Sequence, residues 1–544
     1  MSPIDKALVS MQKIFRARRV VTMTDASPEA FVTLGERVVS MGALDETRLR
    51  FPEAEIVDLG DATVAPGFND AHGHLCFLAE DALSLDLSWD SIGSLAELFA
   101  KFRAELPHAA PAAWLRGSRY DDAKMAEARV LSRWDLDEIT HEHPIFVHHV
   151  AGHWCVVNSK ALELAGFDET VEDPPGGKFG RDANGRLNGI LHEKAMEVFW
   201  SYSAERPEAL LPGATLEDRL RGLQTMQRRF HAAGLTSLTD ALVQPRDIDL
   251  YVEARRRGLL SMRVNMLVIY DAYDQLRRLG FRSGFGDEHL RVGGIKAFVD
   301  GAIGGRTCLM DQPFEGTSDD YGIQRTSDAE LDDIVRMVHL GGTRLCTHAN
   351  GDRAIRKLIA RLESAENEKP QPGLRHRIEH CTIVDEDIVA RMRGLGAIAV
   401  PFGSYVYYHG ARLLDWYGPK RIERMFAHRT FIDNGVAVAG SSDYPCGPYQ
   451  PLLAIQSCVT RRGYDGAPLG LNQRITPHEA LGLYTVNAAL GAGEEHYKGR
   501  LAPGYLADFV VLDDDPRSVE GSEIGAIGIR ATYVGAEKVW ERAS

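Results

Sequence analysis

Eight short apolar runs separated by amphipathic stretches occupy the middle of this 544-residue sequence. They are "GFNDAHGHL", "LTSLTDAL", "SMRVNMLVIYD", "LRVGGIKAFVD", "TRLCTHAN", "RHRIEHC", "GAIAVPF" and "GVAVAGSSDYP". Stretches such as "DRAIRKLIARLESAE" follow several runs, and this alternation is typical of βα units. Eight units predict an α/β fold with a (β/α)8 barrel of the TIM type. The alternative is a doubly wound open sheet, but no G-x-G-x-x-G sequence follows a strand.

Both ends of the chain have a different character, with Val-rich runs broken by turn residues. They include "AFVTLGERVVSMGAL" near the start and "ADFVVLDDDP" and "ATYVGAEKVWER" near the end. Neither end is long enough to bury a β core alone, so we expect the two ends to pair. The predicted domains are a small β-sandwich of residues 1–65 plus 490–544 and a catalytic barrel of residues 66–489.

One connection in the predicted barrel is far longer than an ordinary loop. Residues 77–215, roughly, separate the first strand from the helix predicted in "TLEDRLRGLQTMQRRFHAAG". The segment contains its own helical and strand-like stretches, such as "SLAELFAKFRAEL" and "HPIFVHHV". We expect it to form a large insert after strand 1, over the mouth of the active site.

The overall charge and the cysteine pattern exclude several classes of partner. A formal net charge of −15 argues against nucleic acid or an anionic membrane as the main partner. No apolar window is long enough to span a membrane, and no export signal is visible, so a cytoplasmic location is expected. The seven cysteines are scattered and contain no C-x-x-C, which favours reduced thiols over disulfides or a Cys zinc site.

Residues able to bind a metal fall at equivalent places in five of the predicted strands. His72 and His74 stand two residues apart, so they face the same side of the first strand. The other candidates are Lys296 in the fourth run, His348 in the fifth, His380 in the sixth and Asp443 in the eighth. The carboxyl ends of barrel strands meet at one face, where barrel enzymes carry out chemistry. The six residues therefore predict one metal site.

Each candidate taken alone has a simpler interpretation. Lys296 could be an unmodified lysine in a salt bridge. Asp443 could be the N-cap of the helix that follows it. A single His348 or His380 would be a hydrogen-bonded core histidine, but their joint placement favours the metal role. The second His-x-His pair, at 141 and 143, has no partners in matching positions and predicts a surface turn. Strand alternation turns Glu379 away from the barrel axis, so it is not a candidate.

Motifs along nearly the whole chain resemble the N-substituted formamide deformylase-like (YtcJ-like) branch of the amidohydrolase superfamily. They include "VAPGFNDAHGH", "AGHWCVVNSKALELAG", "KAFVDGAIGGRT", "THANGDRAI", "RIEHC", "GSSDYP" and "GRLAPGYLADFVVLD". The resemblance implies a metallo-barrel with a bracketing β-sandwich. It also implies His72 and His74 on one metal, His348 and His380 on a second, Lys296 as a carbamylated bridge, and Asp443 as ligand and proton acceptor.

The implied chemistry is hydrolysis with one or two divalent ions. Imidazole ligands suit zinc best in this setting, with iron, manganese and cobalt as alternatives, and a deprotonated buried lysine can form a carbamate. We expect a metal-bound hydroxide to cleave the C–N bond of an amide or formamide, with Asp443 moving the proton. Two alternatives stay open: a metal-dependent lyase or decarboxylase that uses the same site, and a non-catalytic relative.

The expected partner is a small-molecule substrate, with a homodimer left open as the assembly. Arg306, in the glycine-rich loop after the fourth strand, is a candidate to bind a carboxylate or carbonyl group. His153 and Trp114 in the insert and Tyr405 after the seventh strand are candidates to line an enclosed, mostly apolar pocket.

Overall fold

The computed structural model describes residues 12–81, 84–200 and 209–543. Its first strands are β1 (Gln12–Arg16), β2 (Arg19–Val20), β3 (Ala30–Leu34), β4 (Arg37–Gly42), β5 (Glu55–Asp58) and β6 (Thr63–Pro66). Four of them form a sheet in the order β4-β3-β1-β5. The sequence predicted only strands and turns here, but Leu44–Arg50 form a helix. Acidic residues in its first turn and basic residues in its last turn complement the helix dipole.

The long connection after the first barrel strand carries a sheet of its own. That barrel strand is β7 (Phe68–Gly73), and the connection contains β8 (Leu85–Asp86), β9 (Leu115–Tyr120), β10 (Ile145–His149), β11 (Trp154–Val157), β12 (Gly177–Arg181) and β13 (Leu187–Glu193). The six strands pair in the order β12-β13-β11-β10-β9-β8. The helices of this part are Leu75–Asp81, Leu95–Glu105, Arg133–Asp137 and Ser159–Leu164. A separate apolar core that includes Phe102, Tyr120 and Trp154 holds the sheet and its helices together.

The central sheet is a curved, entirely parallel sheet of seven strands. The strands after β7 are β14 (Leu235–Val243), β15 (Arg263–Ile269), β16 (Leu290–Phe298), β17 (Leu345–Ala349), β18 (Arg377–His380) and β19 (Ile398–Val400). The order is β19-β18-β17-β16-β15-β14-β7. The helices between them are Leu216–Ala232, Pro245–Arg256, Tyr273–Arg278, Asp328–Leu340, Asp352–Glu368 and Glu386–Leu395. The predicted alternation of strands and helices is thus confirmed.

An extended segment, residues 436–443, joins the two edges of this sheet. Val438 forms a parallel bridge with Ala399, which belongs to β19. On the other edge Ala71 N donates to Gly440 O at 3.1 Å, and Asp443 N donates to His72 O at 2.8 Å. The predicted TIM-type barrel is therefore present as a nearly closed parallel barrel, in which the eighth predicted strand is this bridging segment.

The last part of the chain returns to the first strands. It contains the helices Tyr405–His409, Arg412–Ile422, His428–Asp433, Pro451–Thr460, Pro477–Leu483 and Val486–Ala492, followed by β20 (Phe509–Leu512), β21 (Ile529–Val534) and β22 (Glu537–Glu541). These strands complete a sheet in the order β2-β6-β20-β21-β22. Phe15 and Phe31 of the first sheet share an apolar cluster with Phe509 and Tyr533 of this one. The helix Val486–Ala492 spans the predicted domain boundary between residues 489 and 490.

All seven cysteines are buried and none is in a disulfide. Among the described residues, no helix combines the length and the apolar character needed to cross a membrane.

A buried ion pair fixes the C-terminal sheet to the barrel. Arg263, the first residue of β15, donates through Nε to Asp508 Oδ2 at 2.7 Å and through Nη2 to Oδ1 at 2.9 Å. Burial alone would raise the pKa of Asp508, but the charge and hydrogen bonds of Arg263 hold it below its usual value. The same guanidinium contacts Glu36 at 2.8 Å, so parts of both chain ends depend on it.

We expect Asp508→Ala to cost about 3 kcal/mol of unfolding free energy, because it leaves the Arg263 charge buried with one partner fewer. The pKa of Asp508 is lowered in the folded protein. Its contribution to the unfolding free energy is therefore complete at neutral pH and disappears as the pH falls through that pKa. Thermal and denaturant unfolding at two pH values measures both effects. Asp514→Ala is the matched control, because Asp514 pairs with Arg18 on the surface and should cost under about 1 kcal/mol.

Candidate metal centre

The six predicted metal-site residues lie together at the carboxyl end of the barrel strands. His72 Nε2 is 3.3 Å and His74 Nε2 3.0 Å from Asp443 Oδ1. The ring centroid of His380 is 4.7 Å from that of His72 and 4.4 Å from that of His348. Lys296, in β16, lines the same cavity as His348, His380 and Asp443.

Three of these residues form a group able to hold a metal ion. His72, His380 and Asp443 each offer one ligand atom, and these atoms all lie within 4.8 Å of one another. His72 Nε2 and His380 Nδ1 are buried and make no hydrogen bond to any described residue. A buried nitrogen left without a partner costs about 1–3 kcal/mol, which binding to a cation would remove. The residues therefore fit a metal ion.

The protonation states also suit a metal. Burial lowers the pKa of His348 and of His380 well below the usual value, so both imidazoles are neutral, as metal ligands must be. Burial alone would raise the pKa of Asp443. The neighbouring imidazoles of His380, His72 and His74 instead hold that pKa well below its usual value. Asp443 is therefore an anionic ligand or proton acceptor at neutral pH.

Lys296 is buried and lacks the salt bridge that was its simpler interpretation. No carboxylate oxygen within the described parts of the chain lies within ion-pair distance of its Nζ, which is 4.8 Å from the centroid of the Phe298 ring. Burial lowers the pKa of Lys296 to about 8, although Glu379 and Asp443 oppose this shift. A minor fraction of the amine is then neutral near neutral pH, and the neutral amine is the form that reacts with carbon dioxide.

The backbone at two of the predicted ligands is held in the left-handed region. His380 has φ of 68° and Asp443 has φ of 53°. Such conformations are unfavourable for residues other than glycine and persist where surrounding contacts fix them, commonly at functional sites. Asp443 is not a helix N-cap: the next helix begins at Pro451 with Gln450 as its N-cap.

Glu379, which strand alternation had excluded, contacts the site directly. Its Oε2 lies 2.5 Å from His72 Nδ1, and Arg377 donates to its two oxygens at 2.7 and 2.8 Å. Burial alone would raise the pKa of Glu379, but Arg377 and His72 lower it to about 2. The carboxylate therefore keeps the hydrogen of His72 on Nδ1 and turns Nε2 toward Asp443. A carboxylate behind a histidine ligand is a common support, but nothing in "RIEH" itself places Glu379 behind His72.

We expect Glu379→Gln to weaken metal binding about 10- to 100-fold, because His72 loses the charged acceptor that orients its ring. Competition with a chelator measures the affinity. Glu363→Gln is a matched control, since Glu363 pairs with Arg391 at 2.7 Å on the surface and should leave metal affinity unchanged. Unchanged affinity in Glu379→Gln would show that His72 needs no such support.

A narrow cavity opens onto these residues. Its volume is about 40 Å³, which is room for two or three water molecules. Its walls come from both the barrel and the long connection after β7, and they are His74, Phe77, His148, Ala151, Gly152, His153, Trp200, Leu242, Lys296, Phe298, His348, His380, Asp443, Pro445 and Cys446. Five of the candidate ligands thus border a space whose other walls are mostly apolar side chains.

The four predicted substrate contacts separate into two pairs. His153 lines the cavity. Tyr405 is not among the cavity walls, but it donates to Asp443 Oδ2 at 3.4 Å while stacking on Phe402. Arg306 does not line it: with φ of 52°, its backbone directs the side chain over the Phe314 ring, 5.4 Å away. Trp114 also lies elsewhere, with its ring 5.9 Å from that of Phe199 in the core of the protein.

A second group of histidine and acidic residues, in the long connection, is held by its own contacts. Asp121, Asp122 and His149 form a second group with metal-ligand spacing. However, His149 Nε2 lies 3.1 Å from Asp122, and Tyr408 donates to Asp121 at 2.7 Å. In the pair predicted as a surface turn, His141 is exposed, but His143 is buried with Nδ1 3.0 Å from Ala113 O.

Comparison with known proteins agrees with this geometry. Residues 55–539 match the amidohydrolase family, so the chain belongs to that family. It is 29% identical to the Bacillus subtilis protein YtcJ, over 98% of this chain and all of that protein. It is also 29% identical to the N-substituted formamide deformylase of Arthrobacter pascens, over 96% of this chain and 97% of that protein.

A solved structure supports the fold along most of the chain. A metal-dependent hydrolase from Pyrococcus furiosus superimposes with a TM-score of 0.72 and 26% identity, over 93% of this chain and 100% of that one. The family predicted from the sequence motifs is therefore confirmed. The TIM-barrel-like fold is confirmed with it.

Proposed function

We propose that this protein is a metal-dependent hydrolase that cleaves the C–N bond of a small amide or formamide. The observation that carries the proposal is the buried group of His72, His380 and Asp443, in which two imidazole nitrogens have no hydrogen-bond partner among the described residues. Similarity to an N-substituted formamide deformylase favours an amide that is not a peptide bond.

The proposed site holds one or two divalent ions, with zinc favoured and iron, manganese or cobalt as alternatives. His72 and His74 would bind one ion, His348 and His380 the other, and a carbamate on Lys296 would bridge them. A divalent ion held by these residues would supply activation of a water molecule and polarisation of the substrate carbonyl group. The buried position and lowered pKa of Lys296 support the carbamate.

Asp443 is the proposed proton carrier. Water adds to the carbonyl carbon, the C–N bond breaks with its electron pair going to nitrogen, and the products are a carboxylic acid and an amine. Asp443 accepts a proton from the attacking water and gives one to the leaving nitrogen. Its lowered pKa keeps it anionic before the reaction, and the hydrogen bond from His74 fixes its orientation.

The walls of the cavity favour a small, partly apolar substrate. Phe77, Trp200 and Phe298 contribute aromatic surface, and the long connection after β7 covers the carboxyl end of the barrel. Lys124 joins this connection to the barrel: its Nζ donates to Tyr408 O at 2.7 Å and lies 3.4 Å from the centroid of the Tyr464 ring. Such an enclosed pocket suits a small molecule better than a polymer.

Decarboxylation is the second candidate, because the same ligand set can stabilise a negative charge on carbon. Hydrolysis is favoured over decarboxylation because Asp443 is anionic and lies at the cavity. There it is placed for the proposed transfer of a proton to the leaving nitrogen. A non-catalytic relative is disfavoured by the presence of all six predicted site residues, five of which line one cavity.

We expect the metal-loaded protein to hydrolyse an N-benzyl formamide faster than an N-acyl amino acid, and a long peptide least of all, because the cavity is narrow and enclosed. Chromatography of the products would detect the amine and the acid. Carbon dioxide as a product would favour decarboxylation, and a preference for the peptide would contradict the enclosed site.

Asp443→Asn serves as the control for that chemistry. The substitution preserves the shape of the side chain but not its basicity, so turnover should fall on the order of 10²- to 10⁴-fold while the fold is retained. Turnover near the wild-type value, with metal still bound, would show that another group moves the proton.

We expect elemental analysis to approach two divalent ions per chain, and Lys296→Ala to lose both metal and activity because it removes the proposed bridge. A short carboxylic acid in solution should partly restore both. Lys124→Ala is a matched control: burial lowers the pKa of Lys124 to about 8 as well, but this lysine does not line the metal cavity. One ion per chain, unchanged by added metal and bicarbonate, would leave a mononuclear hydrolase.

A further inference from the structure

A second cavity adjoins the metal cavity and is much larger. Its volume is about 340 Å³, against about 40 Å³ for the metal cavity. Pro445 belongs to the walls of both spaces. Val150 lines the larger space, and the next residue along the chain, Ala151, lines the smaller one. The two spaces therefore meet beside Pro445, which follows closely after Asp443 in the sequence.

The two volumes determine which part of a substrate each space accepts. A cavity of about 150 Å³ holds one benzene ring, and pockets that bind drug-sized ligands measure about 300–1,000 Å³. The metal cavity, at about 40 Å³, has no room for a ring beside the scissile bond. The second cavity, at about 340 Å³, falls within the range of ligand pockets. A substrate that carries a ring must therefore place the ring in the larger space while its scissile bond lies in the smaller one.

Aromatic side chains form much of the wall of the second cavity. They are Trp89, Tyr407, Tyr408, Tyr444 and Tyr449. Tyr408 donates to Asp121 Oδ2 at 2.7 Å, and the hydroxyl of Tyr444 accepts from Arg119 Nη1 at 3.1 Å. These hydrogen bonds fix both rings before a ligand binds, which reduces the entropy cost of binding. The ring of Tyr449 stands 4.9 Å from that of Tyr444 at an angle of 68°, an edge-to-face geometry to which a further ring can add.

The charges around the second cavity favour a neutral group. Among the described wall residues Arg119 is basic and Asp90 is acidic, so their formal charges cancel. Arg119 Nη2 also lies 2.8 Å from Asp86 Oδ1, so its charge already has a partner. A carboxylate on the substrate would meet no unpaired cation among these wall residues, and an ammonium group would be repelled by Arg119. A neutral aromatic group suits both the rings and the charges.

We infer that this second cavity, the aromatic cavity, binds a neutral aromatic substituent carried on the scissile nitrogen. Asp443, the proposed proton donor to that nitrogen, is followed directly by Tyr444 and Pro445, which line the aromatic cavity. The nitrogen side of the substrate therefore lies toward this cavity, and the acyl group stays in the metal cavity. Tyr407 and Tyr449, both half-buried, are the specificity-determining residues. This inference rests on the proposed hydrolysis of a C–N bond.

The test compares N-benzylformamide with N-(cyclohexylmethyl)formamide, as the ratio of their kcat/KM values. The two substituents have the same number of carbon atoms, but only the benzyl group is aromatic. An aromatic contact adds about 2- to 10-fold to binding beyond the area that it buries. Tyr449→Leu and Tyr407→Leu should each lower the ratio by that factor, because leucine keeps an apolar side chain but removes the ring. Comparing each variant with the wild type cancels the difference in intrinsic reactivity between the two substrates.

N-Methylformamide reports on the metal cavity alone, because its methyl group is too short to fill the aromatic cavity. The wild type should prefer N-benzylformamide to it by about 10- to 100-fold in kcat/KM, the gain expected from burying a phenyl group. In Tyr449→Leu and Tyr407→Leu the kcat/KM for N-methylformamide should remain that of the wild type. Metal content and the thermal unfolding midpoint, measured on each variant, show that the fold and the metal centre persist.

Tyr505→Leu is the matched control, since Tyr505 is also half-buried but lines neither cavity. The ratio of benzyl to cyclohexylmethyl substrate should remain that of the wild type in this variant, because the ring that it removes lies outside the proposed subsite.

The possible outcomes separate the inference from the proposed function. Hydrolysis of the benzyl and cyclohexylmethyl substrates with the same ratio in wild type, Tyr449→Leu and Tyr407→Leu would overturn the aromatic cavity and leave the hydrolase proposal standing. An equal loss of activity on N-methylformamide, or a ratio that falls as far in Tyr505→Leu, would also overturn it. If the metal-loaded wild type releases amine from none of the three formamides, the proposed function fails, and the inference fails with it.

Discussion

Buried carboxylates hold the main parts of the candidate site in position. Glu379 fixes the ring of His72, and Glu193 fixes the ring of His153. Asp70 accepts the backbone N–H groups of His72 and Ser442, which holds β7 against the segment that closes the barrel. Because an unsatisfied buried carboxylate is very costly, each of these groups is stable only while its donors stay in place. The geometry of the metal-binding residues therefore depends on the closure of the barrel around them.

The sequence predicted the barrel and the six central residues because both follow from local periodicity. Apolar runs of strand length mark the walls, and residues such as His72 and His74 share a face because side chains alternate along a strand. The same rule failed at Glu379. Alternation assumes an extended backbone, but His380 has φ of 68°, so Glu379 and His380 both approach the centre. Nothing in the four letters "RIEH" announces a left-handed residue that only tertiary contacts can stabilise.

Side chains in loops were harder to predict than those on strands. Arg306 follows two glycines, and a left-handed backbone at Arg306 itself directs its guanidinium onto Phe314 and away from the cavity. Trp114 stands just before β9, and its contact with Phe199 joins segments about 85 residues apart, which no local pattern encodes. His153 differs from both because a buried carboxylate from another strand determines its direction. Its position could be predicted as a candidate, but its contact with Glu193 could not, because Glu193 lies on another strand.

The site divides its tasks between two parts of the chain. The proposed metal ligands belong to barrel strands or to the segments that directly follow them, whereas His148, His153 and Trp200 come from the long connection after β7. The two parts meet at Glu193, whose partners Thr307 and Arg325 lie beyond β16 in the barrel portion. Arg325 also donates to Glu197 at 2.6 Å, so one guanidinium from the barrel side holds two carboxylates of the connection. Substitutions in the connection can therefore change the walls of the cavity without altering the candidate metal ligands, as long as these ion pairs keep the connection on the barrel.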